Sequence, residues 1–200
     1  RCEVPVIDTV HTQNGSLLLL GGFADDAPEC AEATWKTRMC QAGEHRLTFN
    51  ITSDDPYFDL VVLRAHSDAE EHIWGAGEQF PHETLNLKGR TLPIIAQEGG
   101  LGRGHAVITP AVNQFSEGSG GTEDSTYVAS AHYLTSEDRS LFLENTETAF
   151  FDFSANDAIE LRLYASEMAA QVVHGKEPLE LIERFTDWTG RMVAPPAWAN

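Results

Sequence analysis

The sequence predicts a mainly β chain: an antiparallel β-sandwich with one short C-terminal helix. Three observations carry this. Apolar residues alternate with a period of two through several short segments, polar turn residues separate those segments at close intervals, and one segment near the end changes to helical spacing.

The elements follow in order. SLLLLGGF, from Ser16 to Phe23, is the single apolar burst of the first 43 residues. It reads as one strand, followed by irregular or short helical structure through Cys30 and Cys40. In RLTFNIT, Leu47, Phe49 and Ile51 share one side, as a half-buried strand requires, and Asp54-Asp55-Pro56 marks a turn. FDLVVLRA has the continuous apolar character of a more buried strand. STYVASAHYLT alternates Tyr127, Ala129, Ala131 and Tyr133; SEDRS interrupts, and Leu141 and Leu143 resume, which makes a hairpin. Phe151 and Phe153, a turn at Asn156-Asp157, and Ile159, Leu161 and Leu163 continue the pattern. Strands at this spacing indicate an antiparallel meander or sandwich. In KEPLELIERFTDWTGR, Pro178 suits a first helical turn, Leu179, Ile182 and Phe185 recur every three residues, and Gly190 ends the helix. The prolines of MVAPPAWAN read as an extended connector. The expected division is therefore a sandwich over residues 1–190 and a linker over 191–200.

Composition narrows the partners. The 200 residues are 42% hydrophobic, with no run long enough to cross a bilayer. Thirteen basic residues against 31 acidic ones give a net charge of -18, which disfavours nucleic acid and anionic membranes. Cys2, Cys30 and Cys40 lack the paired short spacings of a zinc site, so no metal is implied; a Cys30–Cys40 disulfide would suit a secreted protein. Asn14-Gly15-Ser16 and Asn50-Ile51-Thr52 have the form of glycosylation acceptors. The chain starts at Arg1 with no signal-peptide pattern, and further residues upstream are expected.

The densest chemistry lies in WGAGEQFPHETLNLKGR, Trp74 to Arg90, and in QEGGLGRG, Gln97 to Gly104. The second stretch is loop chemistry, because its glycines allow positive φ and close backbone approach. It lacks the Lys-Ser/Thr ending of a phosphate loop and the dinucleotide glycine spacing. Glu78, Glu83 and Glu98 could supply the two carboxyl groups of a glycosidase, although ordinary solvated loop carboxylates are the commoner case. His82 is the one histidine within the motif, and no Gly-x-Ser-x-Gly or His-x-x-x-His pattern occurs. Trp35, Trp74 and Tyr127 are candidates for the aromatic platform of a stand-alone carbohydrate-binding module, though core packing is their simpler role.

The blocks Gly75-Ala76-Gly77-Glu78-Gln79-Phe80, Leu87 to Arg90, and Glu98, Gly100, Gly102 and Arg103 resemble the N-terminal β-sandwich of family 31 glycoside hydrolases. The sulfoquinovosidase branch is the most similar part of that family. FFDFSANDAIELRLYA, the helix around Leu179 to Trp188, and APPAWAN resemble the family's last sandwich strands, closing helix and approach to its catalytic barrel. The resemblance implies a galactose-mutarotase-like fold. It also implies that the aspartate nucleophile and acid/base belong to a TIM barrel that follows the sandwich. On that basis the chain carries no catalytic residue, needs no cofactor or metal, and is inactive alone. Its implied partners are an α-glycoside and a catalytic barrel, in cis or in trans. Gln79, Lys88, Arg90, Glu98 and Arg103 are the implied rim of the substrate pocket. Glu98-Gly99-Gly100 and Ile94-Ile95 depart from the branch's pattern, which leaves the sugar open. A mutarotase-type epimerase would need a His and Glu motif that has no counterpart here.

Overall fold

A computed structural model describes residues 2–3, 5–55, 57–78, 84–96, 100–122, 124–196 and 198. In chain order the elements are β1 (Pro5–Gln13), β2 (Ser16–Phe23), α1 (Pro28–Ala31), β3 (Trp35–Gln41), β4 (Arg46–Ser53), β5 (Val61–His66), β6 (Ile73–Gly77), β7 (Thr91–Pro93), α2 (Ile108–Asn113), β8 (Ala129–Thr135), β9 (Arg139–Leu143), β10 (Ala149–Asp152), β11 (Ala158–Leu163), β12 (Glu167–His174) and α3 (Pro178–Thr189). Two antiparallel sheets result: an eight-stranded one in the order β1-β2-β3-β4-β12-β9-β8-β6, and a four-stranded one in the order β5-β11-β10-β7.

The core lies between the sheets. Phe49, Ile73, Tyr133, Leu141, Leu143, Met168 and Ala170 of the larger sheet meet Leu92, Ala149, Phe151, Ile159, Leu161 and Leu163 of the smaller. Tyr133 sits edge-on to Phe151 and Phe153 at 5.1 and 5.3 Å, the geometry aromatic quadrupoles favour. The alternation read for β4, β8, β9 and β11 thus points to the side that is buried.

The first 43 residues differ from expectation. They hold three strands, because Asn14 (φ 49°) and Gly15 (φ 77°) form a two-residue hairpin turn that joins β1 to β2, and β3 continues the sheet. Positive φ at both turn positions matches the right-handed twist of the flanking strands, which is why Asn-Gly is favoured there. The expected Cys30–Cys40 pairing is also corrected. Cys30 bonds Cys2, with Cα atoms 5.7 Å apart, and Cys40 is free. Cys40 is fixed in β3 opposite Ser16, whose hydroxyl is 3.3 Å from its sulfur, whereas Cys30 is buried in α1.

Two further assignments shift. β5 is an edge strand, half-buried, with Val61 and Leu63 against the core and Arg64 and His66 exposed. β12, which the alternation did not single out, is covered on both sides: Met168 and Ala170 face the core, while Gln171 and Val173 are buried on the opposite side.

That opposite side of the large sheet receives α3. Pro178 and Gly190 bound the helix as expected, but its buried stripe is not Leu179–Ile182–Phe185. Leu181 is 0% exposed, whereas Leu179 and Ile182 are 74% and 43% exposed. Phe185 stacks on His132 at 4.1 Å and an interplanar angle of 16°. Trp188 meets Phe142 edge-on, and the Arg46 guanidinium lies 4.6 Å from the Trp188 ring. The spacing 181–185–188 is an i, i+4, i+7 stripe, rotated from the one the period of three picks out. Among the described residues no helix is long and apolar enough to cross a membrane.

Candidate functional site

The motif around Trp74 begins as β6 and ends in a bulge. Gly75, Ala76 and Gly77 take φ values of 113°, 60° and 115°, and the register with β8 shifts between Gly75 and Gly77. A Cβ at Gly75 would lie 2.6 Å from the His132 carbonyl oxygen, and one at Gly77 would lie 2.1 Å from that of Val128. The glycines are therefore demanded by contact with β8, not by a ligand. The bulge breaks the register of β6 against β8, and bulges often lie beside binding sites. Glu78, the first residue beyond it, is exposed and donates its backbone N–H to Val128 O at 3.0 Å.

The stretch from Thr84 to Arg90 then returns to the sandwich. Leu87 N–H donates to Ile73 O, Phe153 N–H donates to Arg90 O, and the Asn86 side-chain oxygen accepts from Ile73 and Lys88 N–H at 2.9 and 3.1 Å. Of the rim candidates, Lys88 directs its ammonium to Ser67 Oγ at 2.6 Å and to Asn156 O at 3.3 Å. Arg90 pairs with Asp124 at 3.2 Å. Arg103 adopts φ 45° and donates its backbone N–H to Gly120 O at 2.7 Å. Gln79 and Glu98 lie outside the described residues, as do His82 and Glu83.

Behind Lys88 is a polar network absent from the sequence-based expectations. Glu71 is fully buried, and Arg139 donates to both of its carboxylate oxygens at 2.9 Å, while Ser67 donates at 2.5 Å. Burial alone would raise the Glu71 pKa, but hydrogen bonds from Ser67, Thr135 and Arg139, with the Arg139 charge, outweigh it and hold the carboxyl below its ordinary value. The carboxylate is ionised and fully engaged, which suits a clamp between the sheets and not a proton donor. No pattern in the sequence links Glu71 to a residue 68 positions away.

The glycine-rich loop packs on itself. Gly102 and Arg103 N–H both donate to Gly120 O, Gly120 N–H donates to the Asn113 side chain at 2.7 Å, and a Cβ at Gly102 or Gly120 would strike Thr109. The permissive backbone serves loop-to-loop contact around α2. Among the described residues no group of three or more His, Cys, Asp or Glu is placed to hold a metal ion. Of the three platform candidates, Trp35 donates its indole N–H to Gly22 O, Trp74 is half-buried edge-on to His72, and Tyr127 is 45% exposed just before β8.

Comparison with known proteins agrees with this architecture. The chain is 26% identical over 153 residues to the sulfoquinovosidase of Escherichia coli (strain K12), matching 76% of this chain and 22% of that protein. It is 26% identical over 163 residues to the sulfoquinovosidase of Agrobacterium fabrum, matching 79% of this chain and 24% of that protein. A family 31 sulfoquinovosidase from E. rectale, solved with an aza-sugar inhibitor, superposes with a TM-score of 0.80 at 23% identity, covering 96% of this chain and 27% of that one. No family model matches the chain.

Fold and sequence together define a β-sandwich homologous to part of the family 31 glycoside hydrolases. Both sulfoquinovosidases match more than three quarters of this chain, which spans about a quarter of their length.

Proposed function

We propose that the chain is the non-catalytic N-terminal sandwich of a retaining α-glycoside hydrolase, packed on a catalytic barrel in cis or in trans. In this reading residues 1–190 form the sandwich and 191–200 lead towards the barrel. The segments after Gly77 and around Gly102 reach the rim of the barrel's pocket, where Gln79, Lys88, Arg90, Glu98 and Arg103 hydrogen-bond or pair charge with the sugar.

The observation that supports this best is the bulge at Gly75–Gly77, which interrupts the pairing of β6 with β8 at the start of the block shared with family 31. Exposed Leu85, Leu101, Val107 and Phe115 in the same connections favour a covering partner. The test is hydrolysis of nitrophenyl α-glucoside and α-sulfoquinovoside. The chain alone should show no turnover, and adding it to a family 31 barrel stripped of its own sandwich should restore activity. Turnover by the chain alone that Glu78→Gln abolishes would overturn the reading.

A further inference from the structure

The four-stranded sheet has a second face that the core does not use. Leu92, Phe151, Ile159, Leu161 and Leu163 point inward, so their neighbours along each strand point out. The pairing register aligns these outward residues into two rows. One runs Thr91, Asp152, Glu160, Arg64, and the next runs Pro93, Phe150, Arg162, Val62.

Arg162, from the second row, ties the two acids of the first row together. Arg162 donates to Asp152 at 2.7 Å and to Glu160 at 2.6 Å, and the Asp152 carboxylate accepts from Thr91 Oγ1 at 2.9 Å and from Ser154 N–H at 3.0 Å. Beside it stand two aromatics: Tyr164, 52% exposed, lies edge-on to Phe150 at 6.1 Å. Arg64 pairs instead with Asp157 at 3.5 Å, so the bonded array of Arg162, Asp152 and Glu160 carries one excess negative charge.

A hexopyranose presents an apolar C–H face and a rim of hydroxyls that both donate and accept. It is complemented by an aromatic ring beside planar charged groups held in fixed orientation. Two carboxylates against one guanidinium disfavour an anionic sugar and leave a neutral one unopposed. We propose that the outer face of the four-stranded sheet is a surface site for neutral hexopyranosides, with Tyr164 as the stacking ring and the Asp152–Arg162–Glu160 array as the hydroxyl partner. The site is independent of the pocket-rim reading, because it uses none of the same residues.

The test is titration of the chain with maltotriose and with isomaltotriose, followed by backbone amide NMR. Shifts should be confined to residues 62–66, 150–154 and 158–164. Tyr164→Ala should weaken binding by about ten-fold, the loss of a stacking ring, while leaving the remaining spectrum in place. No shift with either sugar, shifts centred elsewhere, or undiminished binding in Tyr164→Ala would each overturn the proposal. Hydrolysis is not read, so failure here leaves the barrel-partner reading untouched.

Discussion

Arg139 holds the buried Glu71 carboxylate by both oxygens, at 2.9 Å each, and its Nη2 also donates to the His66 carbonyl at the end of β5. One guanidinium thus joins β9 of the large sheet to the edge strand of the small one. Removing it leaves an unpaired charge in the interior. Arg139→Ala should destabilise the fold by about 3–5 kcal/mol, measured by urea unfolding. Replacing both partners by methionine should cost less, because no stranded carboxylate remains.

Acid should weaken the fold in two stages. Burial depresses His132 from its ordinary 6.5 to about 4, so the folded chain keeps it neutral while the unfolded chain takes up a proton. Its contribution is complete above pH 6.5 and is lost as the pH falls through about 4. Glu71 is also depressed, so its contribution begins to fall away below its ordinary 4.5 and is lost as the pH drops through its folded value. Unfolding free energy between pH 7 and 3 checks both, and His132→Phe should flatten only the upper stage.

Glycine is required more strictly at Gly77 than at Gly15, although both have positive φ. An alanine Cβ at Gly15 meets nothing within 4 Å, so Gly15→Ala should cost about 1–2 kcal/mol for the left-handed backbone alone. At Gly77 the Val128 oxygen would be 2.1 Å away, and Gly77→Ala must also break the bulge. The larger loss in chemical denaturation belongs to Gly77→Ala.

Leu181→Ala should destabilise by about 2–5 kcal/mol, since the side chain is wholly enclosed beneath α3. Leu179→Ala should stay within about 0.5 kcal/mol, as for other exposed positions. Equal effects on the thermal midpoint would mean the helix docks by its other side.

Cysteine mapping under non-reducing conditions should yield the Cys2–Cys30 peptide pair with Cys40 free. Cys2→Ser should cost about 2–4 kcal/mol by releasing the crosslink, and Cys40→Ser should leave it in place.

Much of the fold could be read directly, because a strand with one buried face must alternate. That rule located the strands containing Phe49, Tyr133, Leu141, Phe151 and Leu161 and the side each buries. β1 escaped because its apolar residues, Val6, Ile7 and Val10, are exposed and give no clean alternation, yet Asn14-Gly15 was an available signal of the hairpin. A spacing of three picks out Leu179, Ile182 and Phe185, whereas the packed stripe is Leu181, Phe185 and Trp188; both run through Phe185, and only the partner surface chooses between them. Of the candidate site, the glycine positions were legible, but their cause was not: close approach of β8 and of Thr109 is a matter of distant chain.

By itself the sequence determined the sandwich class, the closing helix between Pro178 and Gly190, and the blocks shared with family 31, since all of these are written in local spacing and residue type. Only the tertiary structure decided that Cys2 pairs with Cys30, that Glu71 is neutralised by Arg139, and that Asp152, Glu160 and Arg162 lie in one array. Those pairings depend on sheet register and on the long-range return of the chain. Two charges or two sulfurs far apart in sequence carry no mark of one another until backbone hydrogen bonding has set the distance between them.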